Sequence, residues 1–267
     1  MIAGMSTETR PQERASTRRD VLPPLEHGDH LSPGEFERRL LLQPRASPAT
    51  LVNGRVVLAD GVRTLPGESP MLENGACMTR EEFDTVTDLH PAVKRAERID
   101  GKVYLQMAVS QLHARAHALI IAWLSAYWAR HADCEVLAEG TARLGADSDP
   151  QPDAMLRRTT LGSSGVEAGI AGMVVGPPEL IVEVSASSAS YDLFEKKALY
   201  LRSGVLEYVV WQLYEQRLDW FRLEGSEYVP QAPDESGVFE SRVFPGLRLP
   251  IAALLAGDVA AVMSAVR

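Results

Sequence analysis

Cysteine is scarce in this chain: Cys77 and Cys134 are the only two in 267 residues, and they do not form a CxxC pair. That excludes a disulfide scaffold and a zinc ribbon, and it favours a reducing, cytoplasmic setting. Long apolar runs are also missing. None approaches the roughly 18 residues of a membrane span, and the longest candidate, Ala116 to Trp128, reads as an amphipathic core helix. Basic residues are in deficit, 27 Lys and Arg against 36 Asp and Glu, for a net charge of -9. This speaks against broad, non-specific nucleic-acid binding but leaves room for a local basic cleft. The N-terminus carries Arg10, Arg14, Arg18 and Arg19 without an apolar segment behind them, which argues against a signal peptide. No Gly-rich phosphate loop, GxSxG elbow or nucleophilic cysteine arrangement occurs, removing several enzyme classes.

Hydrophobic residues make up 45% of the sequence, enough for a substantial core, and one main domain plus a tail is expected. Residues 1–70 read as an extension, poorly ordered in part, because Pro, Ser, Thr, Arg and Glu dominate up to Pro24. Ser32-Pro33-Gly34-Glu35 resembles a cap for a short helix over Phe36 to Leu42. Extended structure is expected over Leu51 to Ala59, around Asn53-Gly54. The domain proper spans 78–267. Thr79 and Glu82 have capping-box spacing, and Asp100-Gly101 suits a type I′ turn in a hairpin over Ala96 to Met107. Ser110 caps a helix from Gln111 to about His131. Strands follow near Cys134–Ala138, Thr141–Leu144 and after Asp153. Residues 159–177, rich in Gly and Ser, read as a mobile loop. A helix from about Tyr191 to Ser203, closed by Gly204, lies between strands at 180–185 and 207–212, and a last helix covers Val259 to Val266. The pattern is α/β, with a mixed central sheet flanked by helices.

Pro178-Glu179-Leu180-Ile181-Val182-Glu183-Val184-Ser185 organises the rest. Such an apolar run reads as a strand buried on both faces, yet it contains Glu183. A buried carboxylate costs several kcal/mol unless it meets a cation or a metal. Parity puts Glu183 and Ser185 on one face, and Asp153 stands at the mouth of another strand. A divalent ion shared by Asp153 and Glu183 would answer the problem, and so would a buried Lys or Arg. Lys196 and Lys197 follow on the next helix. Asp192, four residues before Lys196, allows an ordinary surface pair. His113 and His117 have metal-ligand spacing, but Ala114 stands where a metalloprotease needs its Glu.

Several motifs occur in a fixed order. They are Pro152-Asp153, Pro178 to Val184, Ser187-Ser188, Tyr191-Asp192-Leu193, Lys196, Tyr200 and Gly204-Val205-Leu206-Glu207-Tyr208. Upstream stand Met78-Thr79, Glu82-Phe83, Glu97, Ile99-Asp100-Gly101, and Ser110 with His113; downstream, Phe244-Pro245-Gly246-Leu247. Over residues 78 to 260 this string resembles the restriction-endonuclease family long labelled a domain of unknown function, within the PD-(D/E)XK nuclease superfamily. The resemblance implies a restriction-endonuclease-like core and metal-dependent hydrolysis of phosphodiester bonds in DNA. It implies Mg²⁺ (or Mn²⁺) on Asp153 and Glu183, with Glu97 as the upstream acidic residue. Where the superfamily's E-x-K element has lysine, this chain has Ser185, and the resemblance implies that Lys196 takes over. His113 and Ser185 are then supporting residues, and paired subunits would cut the two strands. Two alternatives stand beside this: a catalytically inactive module of the same fold that binds nucleic acid or protein, and a hydrolase with zinc on His113 and His117.

Overall fold

The computed structural model describes residues 74–89, 95–105, 109–160, 164–166, 172–186 and 188–267, single positions 31, 36, 39 and 72, and two strands near residue 50. The chain divides into two units, Met1–Leu58 and Ala59–Arg267. In the first, β1 (Ala49–Val52) and β2 (Arg55–Leu58) pair antiparallel, Val52 opposite Arg55, so the extended stretch expected there is two paired strands; Asn53-Gly54 lies outside the described residues. Phe36 and Arg39 are helical; the rest of the expected helix over 36–42 and the tail to Pro24 lie outside the described residues.

The second unit begins with α1 (Arg80–Leu89), where the capping box forms: the Thr79 amide donates to Glu82 at 2.8 Å, and the Glu82 amide donates to the Thr79 hydroxyl at 3.2 Å. β3 (Ala96–Ile99) and β4 (Lys102–Leu105) make a hairpin whose turn residues Asp100 and Gly101 both have positive φ, 52° and 74°. Ser110 caps α2 (Gln111–Trp128) by accepting from the His113 amide. β5 (Cys134–Ala138), β6 (Ala142–Arg143) and β7 (Ala154–Arg158) follow. The segment expected as a mobile loop instead carries β8 (Gly165–Val166) and β9 (Val174–Val175), which join β6 in a small sheet of order β6-β9-β8. The free edge of β6 and the burial of Val174 outweigh the loop-like composition. Residues 161–163 and 167–171 lie outside the described residues.

Next come β10 (Leu180–Ser185), α3 (Ala189–Tyr191), a π-helical turn (Asp192–Lys196) and α4 (Lys197–Ser203). Gly204, at φ 86°, closes the helix in the left-handed conformation. β11 (Glu207–Gln212), β12 (Arg217–Glu224) and β13 (Glu227–Pro230) form a meander. The chain ends with β14 (Val238–Glu240), β15 (Arg248–Pro250), α5 (Ile251–Ala256) and α6 (Val259–Ser264).

Six strands form the central mixed sheet in the order β13-β12-β11-β10-β7-β5, with only β10 and β11 parallel. All six residues of β10 are buried, as the apolar run predicts. Leu180, Val182 and Val184 pack with Ala154, Leu156 and Ile120, Trp123 and Leu124 of α2. On the opposite face Ile181 and Met155 pack with Val210, Tyr208, Leu199 and Tyr200. Each such aliphatic side chain contributes about 1.5–3 kcal/mol when fully buried. Gly246 is required by contact as well as conformation: a Cβ there would lie 3.0 Å from the carbonyl of Arg267. Among the described residues no helix is long and apolar enough to cross a membrane.

Candidate active site

The register of the central sheet brings the first two acids together. Ala154 of β7 pairs with Val182 of β10, so Asp153, one residue outside the ladder, comes alongside Glu183. Each carboxylate then meets the other strand's backbone: the Val184 amide donates to Asp153 Oδ2 at 2.8 Å, and the Asp153 amide approaches Glu183 Oε2 at 3.4 Å. Both side chains are buried.

Glu97 arrives from outside that sheet. The β3–β4 hairpin is held down by the fully buried Arg98, whose guanidinium reaches Asp149 Oδ2 at 2.7 Å and donates to the carbonyl of Ala146. Arg80, at the start of α1, grips the other oxygen of Asp149 at 2.9 Å. This clamp seats β3 against the Pro150-Gln151-Pro152 approach to β7, and the Gln151 amide donates to Glu97 Oε1 at 2.6 Å.

Lys196 enters from the helix between β10 and β11. Its Nζ lies 2.9 Å from Glu97 Oε1 and 3.0 Å from Glu183 Oε1, with side chains of all three residues almost fully buried. Tyr200 donates its hydroxyl to the same Glu183 oxygen at 2.8 Å. Asp192 stands 3.9 Å from the ammonium, and its Oδ2 accepts hydroxyl bonds from Ser185 at 2.6 Å and Ser188 at 2.7 Å. His113, on the first turn of α2, puts Nε2 3.4 Å from Asp153 Oδ2. Its Nδ1 is buried and has no hydrogen-bond partner among the described residues.

Burial pushes the Glu183 carboxyl up; Lys196 opposes this, but Asp192, Asp153 and Glu97 add to it, leaving it well above the usual range. Burial alone would lower Lys196, yet Glu183, Glu97 and Asp192 together raise it well above an ordinary lysine, so the ammonium is retained. Asp153 also feels burial, but the His113 bond, the Val184 amide and Lys196 outweigh it and the carboxyl ends lower than usual. Burial raises Asp192 in spite of Lys196 and the two serines. Four buried carboxylates thus gather around one ammonium. Carboxylates crowded in a low-dielectric site shed charge by keeping a proton, the direction in which Glu183 and Asp192 are pushed, or by taking up a further cation.

Among the described residues no three His, Cys, Asp or Glu side chains converge as a ready-made metal group. Mg²⁺ needs less: one or two carboxylates, with waters and substrate phosphate completing the shell. Asp153 and Glu183 supply hard oxygen donors, and no described residue donates to Asp153 Oδ1, so the donor set suits Mg²⁺ or Mn²⁺. The zinc alternative fares worse. The His113 and His117 rings are 6.1 Å apart, His117 Nε2 is held by the Asp153 carbonyl at 2.7 Å, and among the described residues no group of three His, Cys, Asp or Glu converges there.

Residues 80–252, well over half of the chain, match the family model Uma2, described as "putative restriction endonuclease". The chain belongs to the Uma2 family. A solved structure described as a putative nuclease belonging to DUF820 from Anabaena variabilis superposes with a TM-score of 0.54 at 16% identity, covering 67% of this chain and 98% of that one. At that identity it establishes the nuclease-like fold alone. No curated protein matches.

Set against the Uma2 fold, the six residues singled out in the sequence, Glu97, His113, Asp153, Glu183, Ser185 and Lys196, lie in one cluster, with Ser185 joined to it through Asp192. One alternative is set aside. Asp192 and Lys196 are not a surface pair; both are buried, on a helix face turned to the sheet. Lys197 leaves the site altogether and lies over the ring of Phe221 at 3.6 Å, since the next residue on a helix points some 100° away. Asp192 and Tyr200 complete the cluster. Tyr200, four residues after Lys196, and Asp192, four before it, share that lysine's face by helix periodicity; that this face is buried against the sheet was not legible locally.

Proposed function

We propose that this chain is a divalent-metal-dependent endonuclease that hydrolyses phosphodiester bonds in DNA. The observation that carries the proposal is the buried Lys196 ammonium shared between Glu183 and Glu97, with Asp153 across the β7–β10 pair. Asp153 and Glu183 would hold Mg²⁺ (or Mn²⁺); when bound, the ion lowers the pKa of a water and neutralises charge on the scissile phosphate. Lys196 orients the attacking water or a phosphate oxygen. Glu97 fixes the other side of that ammonium. His113 steadies Asp153, and Ser185 acts through Asp192. Two free cysteines are in keeping with a reducing, cytoplasmic setting, and two paired copies would account for cutting both strands.

The test is cleavage of plasmid and of single-stranded DNA with Mg²⁺ or Mn²⁺, comparing the native chain with Asp153→Asn and Glu183→Gln. Each near-isosteric change should lower cleavage by roughly 100-fold or more while leaving a cooperative melt. Unchanged cleavage in either variant refutes the assignment. A native chain that binds DNA but neither binds metal nor cuts is instead a non-catalytic module of the same fold.

A further inference from the structure

We infer that Lys196 is the resident counter-ion of Glu97 and Glu183, and that a divalent cation gains Glu183 only as the ammonium gives that oxygen up. The inference rests on the metal-site reading above and concerns what the chain's own lysine does there. The ammonium is locked by geometry: Nζ makes short bonds to Glu97 Oε1 at 2.9 Å and Glu183 Oε1 at 3.0 Å, from a side chain that is almost fully buried. Glu183 has no idle oxygen within the protein. Oε1 also accepts the Tyr200 hydroxyl at 2.8 Å, and Oε2 faces the Asp153 amide at 3.4 Å. A Mg²⁺ ion binds oxygen at about 2.0–2.1 Å. At Oε1 it would crowd an ammonium of the same sign of charge, 3.0 Å away in a buried site where such repulsion is weakly screened.

Lys196 therefore shifts its weight to Glu97, which has no other cation near it among the described residues, and to Asp192, 3.9 Å away and already held from behind by Ser185 and Ser188. The N–H released by Glu183 is then free to meet a phosphate oxygen. On this account Asp192 belongs to the site because it receives the displaced ammonium, which gives a physical reason for burying a further carboxylate beside a lysine that already has two.

The experiment titrates Mn²⁺ alone into the native chain and into Lys196→Met by calorimetry, and follows the lysine side-chain NMR signals of the native chain as Mg²⁺ is added. Lys196→Met should bind Mn²⁺ about tenfold or more tightly than the native chain. In the native chain the Lys196 ammonium signal, protected by burial, should move as Mg²⁺ binds. Should Lys196→Met fail to fold, the native NMR titration decides by itself. Equal or weaker Mn²⁺ binding in Lys196→Met, or an ammonium signal that ignores bound Mg²⁺, overturns the inference and leaves the metal-site reading standing. Absence of metal binding in both proteins overturns the metal-site reading and this inference with it.

Discussion

Position 185 is where the chain departs from the E-x-K pattern, and the consequences can be followed atom by atom. Ser185 is too short to reach the Glu183 carboxylate's ligand space, so its hydroxyl turns to Asp192 and the ammonium comes from Lys196 instead. The strand keeps a small buried side chain, and the charge is delivered from a helix. A different residue gives the clearest pH prediction. Burial, reinforced by Asp133, pushes the Cys134 thiol up from 9.0 to about 11. A group with a raised folded pKa contributes stability below its unfolded pKa and loses it as pH rises through the folded value. Urea-unfolding stability should therefore fall between pH 9 and about 11, and Cys134→Ala should flatten that part of the profile. At neutral pH, iodoacetamide should modify exposed Cys77 readily and buried Cys134 only after unfolding.

Among the elements, the π-helical turn Asp192–Lys196 has the most specific effect. A π turn accommodates one residue more than an α turn and is common at functional sites. Here it lets Asp192, Lys196 and Tyr200 all face β10 while Phe194, 70% exposed, bulges into solvent. Deleting Phe194 should close the turn to α geometry and leave Asp192 three rather than four residues before Lys196, changing how the pair fits against β10. No core side chain is lost, so circular dichroism should still show a cooperative melt. On the proposed function cleavage should fall, because the Ser185–Asp192 bond and the place of Asp192 beside the ammonium are both set by that spacing. Full activity in the deletion variant would show that the turn is incidental to the site.

At the scale of the molecule, the site depends on a sheet covered on both faces, with α2 on one and the α3–α4 crossing on the other. Trp123 pins the first face: fully buried, edge-on to Trp220 with centroids 5.9 Å apart, it donates its indole N–H to the Arg248 carbonyl at 2.8 Å. Trp123→Ala should cost about 3–5 kcal/mol, read as a lower urea midpoint for the Ala59–Arg267 unit. Because α2 also carries His113 to Asp153, the same variant should weaken Mn²⁺ binding at temperatures where the unit is still folded.

Local rules settled the elements that carry the site. Capping chemistry at Thr79 and Ser110, the Asp100-Gly101 turn and the apolar run of β10 depend on near neighbours, and each formed where its residues placed it. The buried position of Glu183, and the need for a cation beside it, also follow from that run alone. Which cation answers was decided by packing: the crossing from β10 to β11 laid Lys196 against Glu183, while the Arg98–Asp149 clamp brought Glu97 to the same ammonium. The small β6-β9-β8 sheet was likewise fixed by pairing between segments distant in sequence. Composition and periodicity report how a residue relates to neighbours a few positions away, whereas these contacts join residues 13, 51 and 99 positions apart, which only the closed fold brings within reach.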